Sequence, residues 1–331
     1  MAEPRRLVRA GQSSHTVSLP KDWLSRNNLK AGDVVYVDVK SERELILSPE
    51  RKPVQDAHRE ITISIDGRDK GTVQRLLTSA YVNNYRTIRF VGAVDKRLPE
   101  IRGMMESFSA LEITEQSQRT IVVSDLLNLA EIDLDKTVRR MDMMVRTMLE
   151  ECASSEMAES LRIKDEEVNK LYFLAIRLLK SSLTSIAARE QLNVSLTDIL
   201  SYWEITLALE NLADDAKTVH TLVAVLGKER AKLAKDLLKL AKDQYVCAMK
   251  AWYDKNKDLA DVVAKSRVGL LDACAAFGNK RRDAASAEFV EHCKAIVLGV
   301  IAISRVVIDR SEEDKTVVSA KTLAGSPTLQ Q

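Results

Sequence analysis

Leu7-Val-Arg-Ala-Gly-Gln-Ser-Ser-His-Thr-Val-Ser-Leu-Pro-Lys-Asp-Trp-Leu24, continued to Pro49, decides how the front of this chain folds. It reads as strand, turn, strand, short helix and two more strands. Pro20 closes the second strand, and Lys21 to Leu29 has helical character. Ala31-Gly32-Asp33 makes a turn. Val34 to Val39 gives the third strand and Glu44 to Ser48 the fourth. Fewer than fifty residues cannot bury a good core alone, so a unit of this size is expected to pair with a second copy.

Its charge separates it from the rest. The 331 residues carry a formal net charge of only +2, yet Arg5, Arg6, Arg9, Lys21, Arg26 and Lys30 face just Glu3 and Asp22 in the first thirty positions. A local basic surplus is the footprint of a phosphate-backbone binder, and equally of a solubilising arm. Arg5, Arg6, Arg9, Lys21 and Arg26 are the candidate phosphate contacts.

Glu50-Arg51-Lys52-Pro53 reads as a linker, because proline discourages continuation of a strand. A second module follows over 54–128 in the order β-α-β-α-β-β, with strands at 60–65, 87–91, 111–115 and 120–124 and helices at 70–83 and 98–108. That is a small α/β sandwich. It has no Gly-rich phosphate loop and no acid, base or nucleophile grouping, so a spacer or dimerisation role is expected.

From Asp133 onward the apolar residues step by three and four. Leu134, Val138, Met141, Val145, Met148 and Cys152 mark one helix. Val168, Leu171, Tyr172, Ala175 and Leu179 mark a second. Leu209, Leu212, Ala216, Val219 and Val223 mark a third, broken at Gly227. A second trio spans 229–253, 258–277 (with a break at Gly278) and 282–311. The expected architecture is multidomain α+β: a small β domain over 1–50, the α/β layer over 54–128, two tandem three-helix bundles over 133–226 and 228–312, and a disordered tail over 313–331.

Cys152, Cys247, Cys274 and Cys293 form no Cys-x-x-Cys pair and read as small buried groups in a reducing compartment. The longest apolar run, 295–308, is too short to span a bilayer, and a cytoplasmic protein is expected. The four histidines are scattered and read as structural or surface residues. No hydrolytic triad or nucleotide loop is present, and no enzymatic activity is expected.

Metal chemistry is possible in two segments, Lys164 to Tyr172 and Leu209 to Ala216. Glu210 and Asp214 are four apart and share a helix face, where two carboxylates repel unless a cation relieves them. Trp203 and Leu207 lie on that same face, opposite the Leu209/Leu212/Val219 stripe. The face is therefore apolar at its start and acidic further on, as in a helix covered on both sides or one that meets a partner. Ordinary surface acids are the plainer reading.

The front segment resembles the AbrB/SpoVT family of swapped-hairpin DNA-binding domains in its strand pair, its Leu19-Pro20 step, its helix and its Gly32-Asp33 turn. Residues 134–313 resemble the PhoU family of repeated three-helix bundles, through Asp165 to Tyr172 and the segment from Leu209. That resemblance implies Asp165, Glu210 and Asp214 as ligands of iron or another metal, though Asn169 stands where a second Asp is usual. The second bundle offers Lys265/Gly269 and Ser304/Ile308 at the corresponding places and implies no cluster. Thr16, Leu24 and Ser25 stand where the DNA-binding family often has arginines.

Together the resemblances imply an archaeal-type phosphate uptake regulator. Such a protein would act as a homodimer or higher oligomer that binds DNA, with the helical half sensing or docking onto a partner such as phosphate-transport machinery. No cofactor is required on this reading, and the one option is a divalent metal or iron in the first bundle. The rival is a PhoU-like signalling adaptor whose N-terminal domain only dimerises. A helical-bundle metal enzyme or store would need a fuller ligand set, such as Glu-x-x-His, which the chain lacks.

Overall fold

A computed structural model describes residues 4–11, 14–41, 44–50, 59–154, 157–279 and 283–324. The chain divides into two compact units, 1–57 and 58–331.

In the first unit, β1 (Val8–Arg9) pairs antiparallel with β2 (His15–Thr16), and α1 (Lys21–Arg26) follows Pro20. β3 (Tyr36–Ser41) pairs antiparallel with β4 (Glu44–Ser48). The third strand thus begins two residues later than its alternation suggested. The turn before it is held by Asp33, whose carboxylate accepts the Lys30 amide at 2.6 Å. Gly32 sits there at φ 97°, a conformation that side chains with a Cβ disfavour. Most of the linker, residues 51–58, lies outside the described residues.

The second unit begins with a four-stranded sheet in the order β5-β6-β8-β7, formed by β5 (Glu60–Ser64), β6 (Thr87–Val91), β7 (Leu111–Gln116) and β8 (Thr120–Asp125). β5 and β6 are parallel, joined through α2 (Lys70–Val82); the other pairs are antiparallel. Asp69 caps α2 by accepting the Thr72 amide at 2.9 Å. The second helix, α3 (Leu98–Met105), stops three residues short of the span read from the sequence. Ile63, Ile65, Val73, Leu77, Phe90, Ile101 and Ile121 fill the space between sheet and helices.

The helices that follow are α4 (Leu134–Glu151), α5 (Ala158–Thr184), α6 (Ile186–Leu192), α7 (Leu196–Val223), α8 (Lys228–Asp254), α9 (Lys257–Lys265), α10 (Arg267–Asn279) and α11 (Ala284–Ala324). α7 packs against α4, α5 and α11, while α11 packs against α7, α8, α9 and α10. One continuous apolar core runs through all of them. Gly299 permits the α7–α11 approach, because a Cβ there would meet the Leu212 side chain at 3.2 Å.

Three further boundaries differ from the sequence reading. The stretch 258–277 is two helices, broken at Ser266, whose hydroxyl donates to the Val263 carbonyl at 2.7 Å and tightens the turn. Helix α10 passes through Gly278 to Asn279 instead of breaking there. Residues 313–324, expected in the disordered tail, continue α11, since nothing between Ser311 and Ala324 is a helix breaker. Residues 325–331, which hold Gly325 and Pro327, lie outside the described residues.

The α/β layer is docked onto the helices and is no free spacer. Arg177 of α5 is fully buried and ion-paired with buried Asp125 of β8. Its Nε donates to Asn84 Oδ1 at 2.7 Å and its guanidinium lies over the Tyr81 ring at 4.7 Å. Phe108 and Phe173 stack across the same junction, with centroids 5.4 Å apart. A second buried knot ties α4 to α8: Asp142 accepts Tyr245 Oη at 2.8 Å and Tyr253 Oη at 3.0 Å, and pairs with Arg146.

Candidate functional site

Arg5 and Arg6 lead into β1, Arg9 ends that strand, and Lys21 and Arg26 are the first and last residues of α1. All five side chains are exposed. The local fold fixes their spacing. Pro20 stands at the N-cap of α1 at φ −60° and starts the helix at Lys21. Asn27 ends it, its amide donating to the Trp23 carbonyl at 2.8 Å, and Asn28 turns the chain at φ 55°. Arg9 is oriented by its Nε–H donating to the Gly11 carbonyl at 3.1 Å.

Among the described residues of this unit, no hydrophobic side chain is buried. Leu7, Val8, Val34, Val37 and Leu45 are all more than half exposed. Thr16, where the resemblance would favour arginine, points its hydroxyl at the Val8 carbonyl at 3.3 Å and so serves the strand pair. The surface therefore joins basic side chains, able to meet phosphates, to apolar side chains that a single copy leaves uncovered.

The second candidate site lies between α5 and α7. Asp165, Glu210 and Asp214 are brought into one electrostatic neighbourhood, but a lysine lies among them. Lys217 Nζ donates to Asp165 Oδ2 at 2.6 Å and to Asp214 Oδ1 at 2.9 Å. Asp165 is only 6% exposed. Burial pushes its carboxyl up despite Lys217. Burial, then Asp214 and Asp165, push Glu210 up to about 7, so it is half protonated near neutrality. Glu210 also raises Tyr172 beside it, after burial. Asp215 turns the other way and meets His292 of α11 at 2.8 Å.

The sequence reading missed Lys217. Its signal was present: Glu210, Asp214 and Lys217 follow at steps of four and three on one face. Leu196, Leu200, Trp203 and Leu207 precede them at the same alternating steps. They are exposed, Leu196 at 57% and Leu200 at 64%. This face thus carries a heptad-like seam, apolar over its first half and charged over its second. A metal ligated by Asp165 and Asp214 would have to displace the Lys217 ammonium. The donor set as built does not fit one, and no group of three metal-ligating side chains is assembled among the described residues.

No helix among the described residues is long and apolar enough to cross a membrane. No curated protein and no solved structure matches the chain. Residues 8–55, which include Arg9, Lys21 and Arg26, match the family model described as Antidote-toxin recognition MazE, bacterial antitoxin, and this match supports an AbrB-type swapped-hairpin domain at the N-terminus.

Proposed function

We propose that the protein is a DNA-binding transcriptional regulator of phosphate uptake, working as a homodimer through its N-terminal unit. The observation that carries the DNA-binding part is that unit: an AbrB/MazE-type segment with exposed basic side chains and, among its described residues, no apolar side chain buried in one copy. Domains of this type bind DNA and dimerise. Two copies double the phosphate contacts, and simultaneous engagement multiplies affinity through effective concentration. The link to phosphate, with sensing or docking by the helical half, rests on the PhoU resemblance of residues 134–313 alone.

The test is fluorescence anisotropy with a duplex from the region upstream of the protein's own gene, against a scrambled duplex, over a salt series. Affinity should fall steeply and linearly on a log–log plot as salt rises. Reversing Arg5, Arg6 and Arg9 to Glu should abolish binding and leave the oligomer intact. Absence of binding at low salt, or binding indifferent to salt, would leave the adaptor reading in its place.

The family match also favours a second reading, an antitoxin-type regulator that neutralises a partner protein. In that case a partner protein should co-purify with the full-length chain and lose its toxicity when the two are co-expressed.

A further inference from the structure

We infer that Lys217 is the resident cation of the α5–α7 carboxylate cluster, and that it performs without metal the bridging that an ion would perform between these helices. The geometry is specific. The ammonium reaches from α7 across to Asp165 on α5 and back to Asp214 on its own helix, at 2.6 and 2.9 Å. Distances of this length mark charge-assisted hydrogen bonds. A hard cation bound by the same carboxylates would sit roughly 2.0–2.6 Å from their oxygens, in space that Nζ already occupies. An ammonium also suits the place chemically, because a compact point charge with three rotatable donors can serve two carboxylates at once. The neighbouring positions agree: Asn169, one turn along α5 from Asp165, adds no charge that would call for an ion of higher valence.

The cluster then holds α5 against α7 independently of metal supply. It follows that removing the ammonium, with the carboxylates left in place, should open a site for a divalent cation.

Full-length wild type, K217R and K217M, purified without chelator, would be titrated calorimetrically with manganese and zinc chloride, and their thermal midpoints compared with and without EDTA. Wild type and K217R should contain no stoichiometric metal, bind none saturably and melt alike in both media. K217M should melt lower in EDTA, recover with manganese or zinc, and bind one cation with a Kd on the order of 10⁻⁴–10⁻³ M, as expected of a sparse carboxylate site. Adding D165N should abolish that binding. Stoichiometric metal in wild type, or a K217M protein that behaves as wild type in every respect, would overturn the inference.

Should K217M fail to fold in either medium, wild type decides the question. A ¹H–¹⁵N spectrum selective for lysine ammonium groups should show a slowly exchanging signal that disappears in D165N. Absence of that signal in wild type would also overturn it.

Discussion

The N-terminal unit and the unit behind it, 58–331, are stabilised in opposite ways. The first buries no hydrophobic side chain among its described residues, while the second threads continuous apolar cores through its sheet and helices. The first unit leaves apolar side chains uncovered, and domains of its type dimerise. The second closes its own core, and its buried polar groups act as fasteners at the junctions between layers.

The largest effect expected from this contrast is on assembly. Val8→Asp with Leu45→Asp alters two side chains that are more than 60% exposed in one copy, so a surface reading would tolerate the pair. If they are covered by a second copy, sedimentation should show a dimer turned to monomer, with the helical signal of 58–331 unchanged. A dimer that survives would break the contrast.

Next in size is the fastener between the α/β layer and α5. Arg177→Met leaves Asp125 buried with one arginine fewer, a loss of about 3 kcal/mol by the usual cost of breaking a buried ion pair. Urea unfolding should show this in the transition of 58–331, and that transition should not depend on protein concentration. A loss below about 1 kcal/mol would mean that the Arg177–Asp125 pair is no fastener between the two layers.

A smaller effect concerns pH. The Glu210 carboxyl is raised in the folded protein to about 7, above its ordinary 4.5, by burial first and then by Asp214 and Asp165. Between those values the folded state binds the extra proton, so stability is present at the acid end and lost as pH rises through about 7. Glu210→Gln, which mimics the protonated form, should flatten that dependence and stabilise the protein at pH about 8 by ~1–2 kcal/mol, a figure already discounted for the partial exposure of the group. Thermal midpoints across a pH series would show it; parallel curves for the two proteins would rule it out.

The smallest effect tests local helix chemistry. Ser195 caps α7 by accepting the Asp198 amide at 3.0 Å, and Asp198 returns the bond to the Ser195 amide at 3.0 Å. Ser195→Ala should cost about 1 kcal/mol of stability in 58–331 and leave the dimer untouched. Sedimentation and urea unfolding on one preparation would separate the two.

How legible these features were depends on the range of the forces involved. The strand–helix–strand order of the first fifty residues, the β-α-β-α-β-β layer and the long helices were readable, because periodicity and punctuation by Pro20, Gly32 and Gly227 act within a few residues. The Ser266 break was not, since one hydroxyl competing for a local carbonyl leaves no mark on the apolar pattern. Continuation of α11 through 313–324 was masked by polar composition, which argues for exposure as readily as for disorder. The acidic face on α7 was visible; its resolution by Lys217 depends on Asp165, fifty-two positions away, and sequence spacing carries no information over that separation.

By itself, then, the sequence determined the local elements, the charge asymmetry of the N-terminus and the deficit of core in its first fifty residues, all of which follow from residue type and near-neighbour spacing. Only the tertiary structure decided that the α/β layer is clamped onto α5 by a buried arginine, and that the carboxylates of α5 and α7 meet an ammonium. Those outcomes depend on which helices lie side by side, and that is set by the sum of apolar burial over the whole unit and by no single motif within it.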